Sequence, residues 1–157
     1  ICFIPDNDYA SFLEKKKGFK PREGNIVNEK GEILGKHKGL YKYTIGQRKG
    51  LGISYEVPLY VIGYNIDKNE LIVGREEELY TKDVYLNNFN NLLGIDINNL
   101  KVNAKIRYSA KEAKATITNE NGIIKVSFEE SKKAVTPGQS LVAYIDDVVV
   151  GGGIIEK

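Results

Sequence analysis

The spacing of apolar residues near the start of the chain predicts one short helix. Between Tyr9 and Lys17 the apolar positions recur near helical spacing, and Asp8 stands where an N-cap is expected. Gly18 is typical of a helix end, and Pro21 follows shortly after it. We therefore predict a helix from Tyr9 to Lys17.

The rest of the chain is predicted to form mainly β-strands joined by turns. Short apolar or alternating runs are separated by residues rich in Asn, Asp and Gly, which is the pattern of antiparallel hairpins. Residues 36–54 are rich in glycine and do not alternate, so we predict a loop with one short helical turn there. Residues 87–99 are polar and are predicted to be partly loop. The predicted strands are 25–27, 32–35, 59–64, 70–74, 83–86, 101–108, 113–118, 123–128, 140–145 and 148–155.

The second half of the chain shows the clearest alternation. From Lys101 to Tyr108 the apolar residues occupy every second position, which places Lys101, Lys105 and Arg107 together on the opposite face. Three consecutive glycines at 151–153 inside a strand suggest a bulge or a close backbone approach. Several short strands at this spacing predict a small closed barrel.

Length and composition set limits on the class of protein. The 157 residues fit one medium domain or two small ones, and a shift in composition near residue 80 favours two. A lone cysteine, Cys2, cannot form an internal disulfide, and one His with one Cys argues against a zinc site, so we expect no metal. No apolar run approaches the roughly 18–20 residues that span a bilayer, and no signal-peptide pattern is present, so we expect a cytoplasmic protein with no membrane partner. Because the chain contains no Met, we interpret it as a segment of a longer protein.

Local charge is more informative than the net charge of +2. Between Glu32 and Glu56 there is no Asp or Glu, whereas the same span holds five Lys or Arg residues, one His and three Tyr. Basic side chains neutralise phosphates, tyrosine rings offer stacking faces for unpaired bases, and glycines allow close approach of the backbone. This composition fits nucleic-acid binding and a solvated basic loop with turn glycines equally well.

Five single residues are further candidates for chemistry. Arg107 is suited to a phosphate, Tyr108 to a base, and Gln139 follows a Pro-Gly turn that can aim its side chain outwards. From their chemistry alone, ordinary strand and turn roles are the favoured explanation for these three. Cys2 has the alternative of being a small buried hydrophobe, and a lone His37 in a basic loop is more often a hydrogen-bond donor than an acid or base.

Five sequence blocks, in this order, resemble the tRNA-specific 2-thiouridylases. The longest are Gly-Gln-Arg-Lys-Gly-Leu-Gly, at 46–52, and Thr-Pro-Gly-Gln, at 136–139, together with the glycine triplet that follows it. The match runs from the first residue to the last. The blocks are 1–4, 35–40, 43–53, 106–108, and 134–140 with 151–155.

The resemblance implies a layout and a cofactor. The family has an N-terminal ATP-pyrophosphatase domain, a small central domain and a C-terminal β-barrel. The implied fold is therefore mainly β, with residues 1–5 as the tail of the catalytic domain, 6–80 as a small central α+β domain that binds tRNA, and 81–157 as an antiparallel β-barrel. ATP with Mg would be bound by the N-terminal domain, so no cofactor is expected in this segment.

The resemblance also implies a reaction, that of a tRNA-uridine 2-sulfurtransferase. In the family, ATP adenylates the C2 oxygen of the wobble uridine, a cysteine persulfide delivers sulfur to C2, and AMP leaves. Cys2 takes the persulfide role, and a second cysteine forms a transient disulfide with it. The implied partners are tRNA and a sulfur donor such as a cysteine desulfurase or a sulfur-relay protein, and the segment alone is expected to be inactive.

The same resemblance assigns RNA contacts. Arg107, Tyr108 and Gln139 would contact tRNA from the barrel, and Gln47, Arg48 and Lys49 would lie near the anticodon stem or the entrance of the active site. The alternative is a non-catalytic β-barrel module that binds RNA or a protein, in which Cys2 is a buried spectator.

Overall fold

The computed structural model describes residues 8–17 and 20–156. The chain divides into two compact units, and the division falls between Glu78 and Leu79. Cys2, the expected helix stop at Gly18 and the predicted tail 1–5 lie outside the described residues.

The first unit contains one helix and a four-stranded mixed sheet. The predicted helix is confirmed: Asp8 caps it by accepting hydrogen bonds from the Ser11 backbone N–H, at 3.0 Å, and from the Ser11 hydroxyl, at 2.6 Å. In the sheet, the order is β2-β1-β4-β3, with β1 and β4 parallel and the other neighbours antiparallel. The elements are α1 Tyr9–Lys17, β1 Gly24–Val27, β2 Ile33–His37, a 3-10 turn at Leu40–Lys42, β3 Tyr60–Asn65, β4 Glu70–Gly74 and a 3-10 turn at Glu76–Leu79.

The second unit is a closed six-stranded antiparallel barrel. The circular strand order is β10-β5-β8-β7-β6-β9, which confirms the predicted barrel and leaves no free sheet edge among these strands. Alternate residues of each strand point inward and form one continuous apolar core. The strands are β5 Tyr80–Asn91, β6 Leu100–Lys105, β7 Ala113–Glu120, β8 Ile123–Lys133, β9 Ser140–Ile145 and β10 Val148–Ile155.

The glycine triplet of β10 is required by close backbone contacts. A Cβ atom on Gly151 would lie 2.3 Å from the Asn90 carbonyl oxygen, and one on Gly152 would lie 2.6 Å from the Leu141 carbonyl oxygen. The strand register also shifts against both neighbouring strands, between Gly152 and Ile154 in the pairing with β5 and between Val149 and Gly151 in the pairing with β9. Both parts of the prediction, a bulge and a close approach, are confirmed.

Several strand boundaries differ from the prediction, and the ends of β5, β6 and β8 differ most; β8 continues to Lys133, past the predicted end at Phe128. Strand β5 continues to Asn91, past the predicted end at Leu86, because its pairing with the glycine-rich β10 extends to that residue. Strand β6 ends at Lys105, where its pairing with Val142 of β9 stops, so the prediction of a strand as far as Tyr108 was wrong. Arg107 and Tyr108 consequently lie in the turn that leads towards β7.

Candidate nucleic-acid interface

The basic segment, residues 36–53, is anchored to the first unit by its apolar side chains. Leu51 is buried in the core with Ile26 and Val61, and Leu40 and Ile45 are among the segment's side chains that pack against that core. The cations between these anchors remain outside. Because the anchors bury apolar area while the charges stay hydrated, an irregular backbone is held in one conformation.

Most cations of the segment have no acidic partner. Lys42 forms an ion pair with Glu14 of α1 at 2.8 Å, and this pairing raises the pKa of Lys42 and lowers that of Glu14. Within residues 8–17 and 20–156, no ion pair engages the other cations. These exposed cations are Lys36, Lys38, Arg48 and Lys49.

The three tyrosines between Glu32 and Glu56 have different roles. The Tyr41 hydroxyl donates a hydrogen bond to Glu14, and Tyr43 packs against the core. Tyr55 is 49% exposed and, with Arg48, lines an open recess of about 450 Å³ that also contains Glu56. Of these three, only Tyr55 has a largely exposed ring near an unpaired cation, and it also lines a second recess that contains Glu29, Glu32, Glu77 and Glu78.

Gln47 is engaged by its own loop. Its side-chain oxygen accepts a hydrogen bond from the Thr44 backbone N–H at 3.0 Å, and its side-chain nitrogen donates to the Lys49 carbonyl at 2.9 Å. Backbone bonds from Gly46 to Val61 and from Val61 back to Gln47, at 2.8 and 2.9 Å, tie this corner to β3. Arg48 and Lys49 are exposed, whereas the Gln47 side chain shapes the corner that presents them.

His37 is buried and serves as a brace. Its Nδ1 accepts a hydrogen bond from the Gly39 N–H at 3.1 Å, so the proton lies on Nε2, which donates to the Asn69 carbonyl at 3.0 Å. Both ring nitrogens are thus occupied by the backbone. This arrangement leaves His37 no free atom for acid–base chemistry and joins the basic segment to the turn before β4.

The barrel brings its three predicted contact residues to one end. Lys105, the last residue of β6, pairs with Val142 of β9. The chain that continues to Arg107 and Tyr108 therefore leaves the barrel beside the chain that enters β9 from Gln139. All three residues are exposed, and Tyr108 has no part of its ring covered.

Backbone hydrogen bonds hold the loops at this barrel end. Gly138 donates to the Ile155 carbonyl and Ile155 donates to the Gln139 carbonyl, both at 2.8 Å, so the predicted turn at 136–139 is fastened to β10. Ala110 donates to the Arg107 carbonyl at 3.1 Å and closes the other turn. The side chains of Arg107, Tyr108 and Gln139 remain available to a ligand.

The basic face predicted for β6 is partly neutralised. Lys105 pairs with Glu112 at 3.0 Å, and this partner raises the pKa of Lys105. Lys101 is exposed on the same outer face, while Arg107 lies beyond the strand. The three cations therefore do not act as one stripe.

Two cations that the sequence did not single out lie beside the start of the basic segment. Arg22 and Lys68 line the same recess as Lys36. They are separated by tens of residues in the chain, so the only available signal was their charge.

Comparisons with known proteins match both units. The tRNA methyl transferase PRC-barrel domain family matches residues 10–75, and the aminomethyltransferase beta-barrel domain family matches residues 78–155. The chain is 50% identical over 160 residues to tRNA-specific 2-thiouridylase MnmA of Clostridium perfringens, covering 100% of this chain and 44% of that protein. It is 49% identical over 160 residues to MnmA of Clostridioides difficile, with 100% and 44% covered, and 46% identical over 159 residues to MnmA 1 of Clostridium botulinum strain Loch Maree, with 100% and 45% covered.

The chain belongs to the tRNA-specific 2-thiouridylase family. It spans less than half the length of the curated relatives that it matches. The resemblance inferred from the sequence blocks is therefore confirmed at the level of this 2-thiouridylase family. Among the described residues, no helix is long and apolar enough to cross a membrane.

Proposed function

We propose that this chain is the RNA-binding part of a tRNA 2-thiouridylase. The observation that carries the proposal is the barrel end, where Arg107, Tyr108 and Gln139 are exposed on neighbouring chain segments. A guanidinium binds phosphate oxygens, a phenol ring stacks on a base, and a carboxamide donates and accepts hydrogen bonds. The family to which the chain belongs supplies the substrate class.

The basic segment of the first unit extends this function. Arg48 and Lys49 are exposed at a corner shaped by Gln47, and no acidic side chain among the described residues pairs with either of them. We assign Arg48 and Lys49 to tRNA phosphates. Gln47 contributes by positioning, which refines its assignment as a direct contact.

In the full-length protein, the proposed reaction is sulfur transfer to C2 of the wobble uridine. ATP with Mg would be held by the N-terminal domain that the family resemblance implies, and it would activate the C2 oxygen of the uridine by adenylation. The terminal sulfur of a Cys2 persulfide adds to C2, and AMP leaves. A second cysteine then attacks the Cys2 sulfur, which frees the thiolated uridine and forms a disulfide that a thiol reductant reopens. A sulfur-donor protein reloads Cys2.

The binding proposal is tested by titrating this chain with a tRNA transcript at several salt concentrations. Arg107→Ala should weaken binding roughly tenfold, because one phosphate contact is lost. For the same reason, the dependence of log affinity on log salt should become shallower by about 1. Arg75→Ala, which removes an exposed arginine beside Glu77, is the matched control and should leave both quantities unchanged. Binding that is absent, or insensitive to salt, would refute the proposal.

The sulfur-transfer assignment needs a separate experiment in the full-length protein. Cys2→Ser should abolish 2-thiouridine formation and leave tRNA affinity intact. Retained thiolation would favour the alternative of a binding module in which Cys2 has no chemical role.

A further inference from the structure

A recess at one end of the first unit's sheet gathers three cations from three chain segments. Arg22 precedes β1, Lys36 lies on β2, and Lys68 lies in the turn between β3 and β4. Strand β1 is between β2 and β4, with Asn25 paired to Lys36 on one side and to Glu70 on the other. The topology therefore brings the three cations around the start of β1, in a recess of about 280 Å³.

Hydrogen bonds that start from the buried His37 hold the walls of this recess in place. His37 donates to the Asn69 carbonyl at 3.0 Å, and the Asn69 side chain donates to the Glu23 carbonyl at 2.8 Å. Asn69 itself has a positive φ of 55°, which an Asn tolerates better than most residues. Gly24 is required here, because a Cβ atom would lie 2.0 Å from the Asn69 carbonyl oxygen and 2.5 Å from Nε2 of His37.

The charges of the recess are unbalanced. In the part of the chain that the structure describes, Arg22, Lys36 and Lys68 form no ion pair. Glu23 is the one carboxylate among the residues that line the recess, and Asn25 and Asn69 complete the polar lining. A ligand with several negatively charged oxygens matches this set of donors.

The lining excludes a base as the recognised group. It contains no aromatic side chain and no large apolar one, so there is no platform on which a base could stack. The opposite end of the same unit has the reverse charge: a second recess there is lined by Glu29, Glu32, Glu77 and Glu78. A polyanion is therefore directed to the end that holds Lys36.

We propose that Arg22, Lys36 and Lys68 form a binding site for phosphate groups of an RNA backbone, continuous with the basic segment through Lys36. The site rests on the proposed tRNA-binding function and enlarges its footprint to Arg22 and Lys68, which no sequence block marked. Its role is to hold the backbone of the RNA, and it carries no base specificity.

The test removes the three positive charges and keeps a polar side chain at each position. A triple variant, Arg22→Gln, Lys36→Gln and Lys68→Gln, is titrated with a tRNA transcript over a range of salt. We expect the affinity for tRNA at low salt to fall more than tenfold, because up to three phosphate contacts are lost. The dependence of log affinity on log salt should become shallower by about 2 to 3. Lys68→Arg should retain affinity, since a guanidinium also binds phosphate.

Matched controls separate this site from a general effect of charge. Lys30→Gln removes an exposed lysine that lines the acidic recess at the other end of the same unit, and it should leave tRNA binding unchanged. Circular dichroism and a thermal melt of the triple variant check that the unit still folds.

The outcomes distinguish this site from the proposed function. If Arg107→Ala weakens tRNA binding and the triple variant does not, the site is refuted and the function stands. If the unaltered chain fails to bind tRNA, the proposed function itself fails. Inorganic phosphate is the second probe: if it shifts the amide resonances of Asn25 and Asn69 while the triple variant binds tRNA normally, the recess is a small-anion site and the RNA assignment is wrong.

Discussion

The two surfaces assigned to RNA are built in different ways. The basic segment is irregular chain, and its shape depends on side-chain bonds from Gln47, His37 and Tyr64, whose hydroxyl donates to the Tyr43 carbonyl at 2.9 Å. At the barrel end, Arg107 and Gln139 stand in short turns whose ends are set by strand pairing.

This difference predicts how each surface responds to mutation. In the basic segment, one residue holds the backbone and others contact RNA. Removing a residue that holds the backbone, such as Gln47, should therefore displace the neighbouring cations. At the barrel end, backbone hydrogen bonds and strand pairing hold the turns. The side chain of Arg107 or Gln139 can therefore be removed without moving the other.

The largest expected effect is on stability. His37→Ala leaves the Gly39 N–H and the Asn69 carbonyl without their buried partner and opens a cavity, so we expect a loss of about 3 kcal/mol in the first unit. Arg107→Ala in the barrel should cost less than about 0.5 kcal/mol, because the side chain is exposed. Urea unfolding followed by amide resonances assigned to each unit measures both. Equal losses at the two positions would remove the distinction between the surfaces.

The next effect is on the coupling between residues that bind RNA. In a double-mutant cycle of Gln47→Ala with Arg48→Ala, we expect tRNA affinity to show a coupling of about 1 kcal/mol, because Gln47 acts through the corner that holds Arg48. Gln47→Glu keeps the acceptor for the Thr44 N–H but loses the donor to Lys49, so it should recover only part of the loss. The cycle of Gln139→Ala with Arg107→Ala should be additive within about 0.5 kcal/mol. Additivity in both cycles would assign Gln47 to a direct contact.

A smaller effect concerns acid stability of the barrel. The Ser127 hydroxyl, 2.6 Å away, and the Lys125 ammonium, 3.2 Å away, lower the pKa of Asp83. A carboxyl whose pKa is lower in the folded than in the unfolded state stabilises the fold at pH values above its unfolded pKa. That contribution disappears as the pH falls through the folded pKa. Asp83→Asn should therefore be less stable than the unaltered chain at pH 7, by under about 1 kcal/mol for so exposed a pair, and the difference should shrink as the pH is lowered towards 2. Thermal melts across this range test the prediction, and a constant difference at all pH values would contradict it.

The smallest effect has the opposite sign and lies in the first unit. The hydrogen bond that the protonated Glu29 carboxyl donates to the Glu78 carboxylate, together with burial and the negative charge of Glu78, raises the pKa of Glu29. A carboxyl whose pKa is higher in the folded than in the unfolded state stabilises the fold at pH values below its unfolded pKa. That contribution is lost as the pH rises through the folded pKa. Glu29→Gln should thus stabilise the unit slightly at pH 7, within about 0.5 kcal/mol, and have no effect near pH 4. Amide hydrogen exchange in β1 and β4 provides the measurement, with Glu32→Gln as the neighbouring control.

Much of the fold could be predicted from local pattern. The Asn121-Gly122 pair predicted a two-residue turn, and both residues have positive φ, 55° and 90°, as that turn requires. The end of β6 could not be predicted, because alternation continues through Arg107 while pairing with β9 stops at Lys105. Alternation reports which face a side chain would occupy, whereas strand length depends on the neighbouring strand.

The candidate site was predictable to a similar degree. Charge and glycine content marked the segment that holds Arg48 and Lys49, and a family resemblance marked Arg107, Tyr108 and Gln139. Neither signal could reveal that Gln47 is occupied by its own loop, since that depends on where the Thr44 and Lys49 backbone groups lie.

The sequence by itself determined the order of elements, the barrel and the family, because periodicity, turn residues and long motif blocks are local properties of the chain. Tertiary structure alone decided which cations are free and which are paired, because Glu14 reaches Lys42 and Glu112 reaches Lys105 only after folding. It also brought Arg22, Lys36 and Lys68 together around one buried histidine. The sequence determines which residues are charged. The electrostatic potential at a binding site, however, is the sum over all nearby charges, and folding decides which charges are nearby.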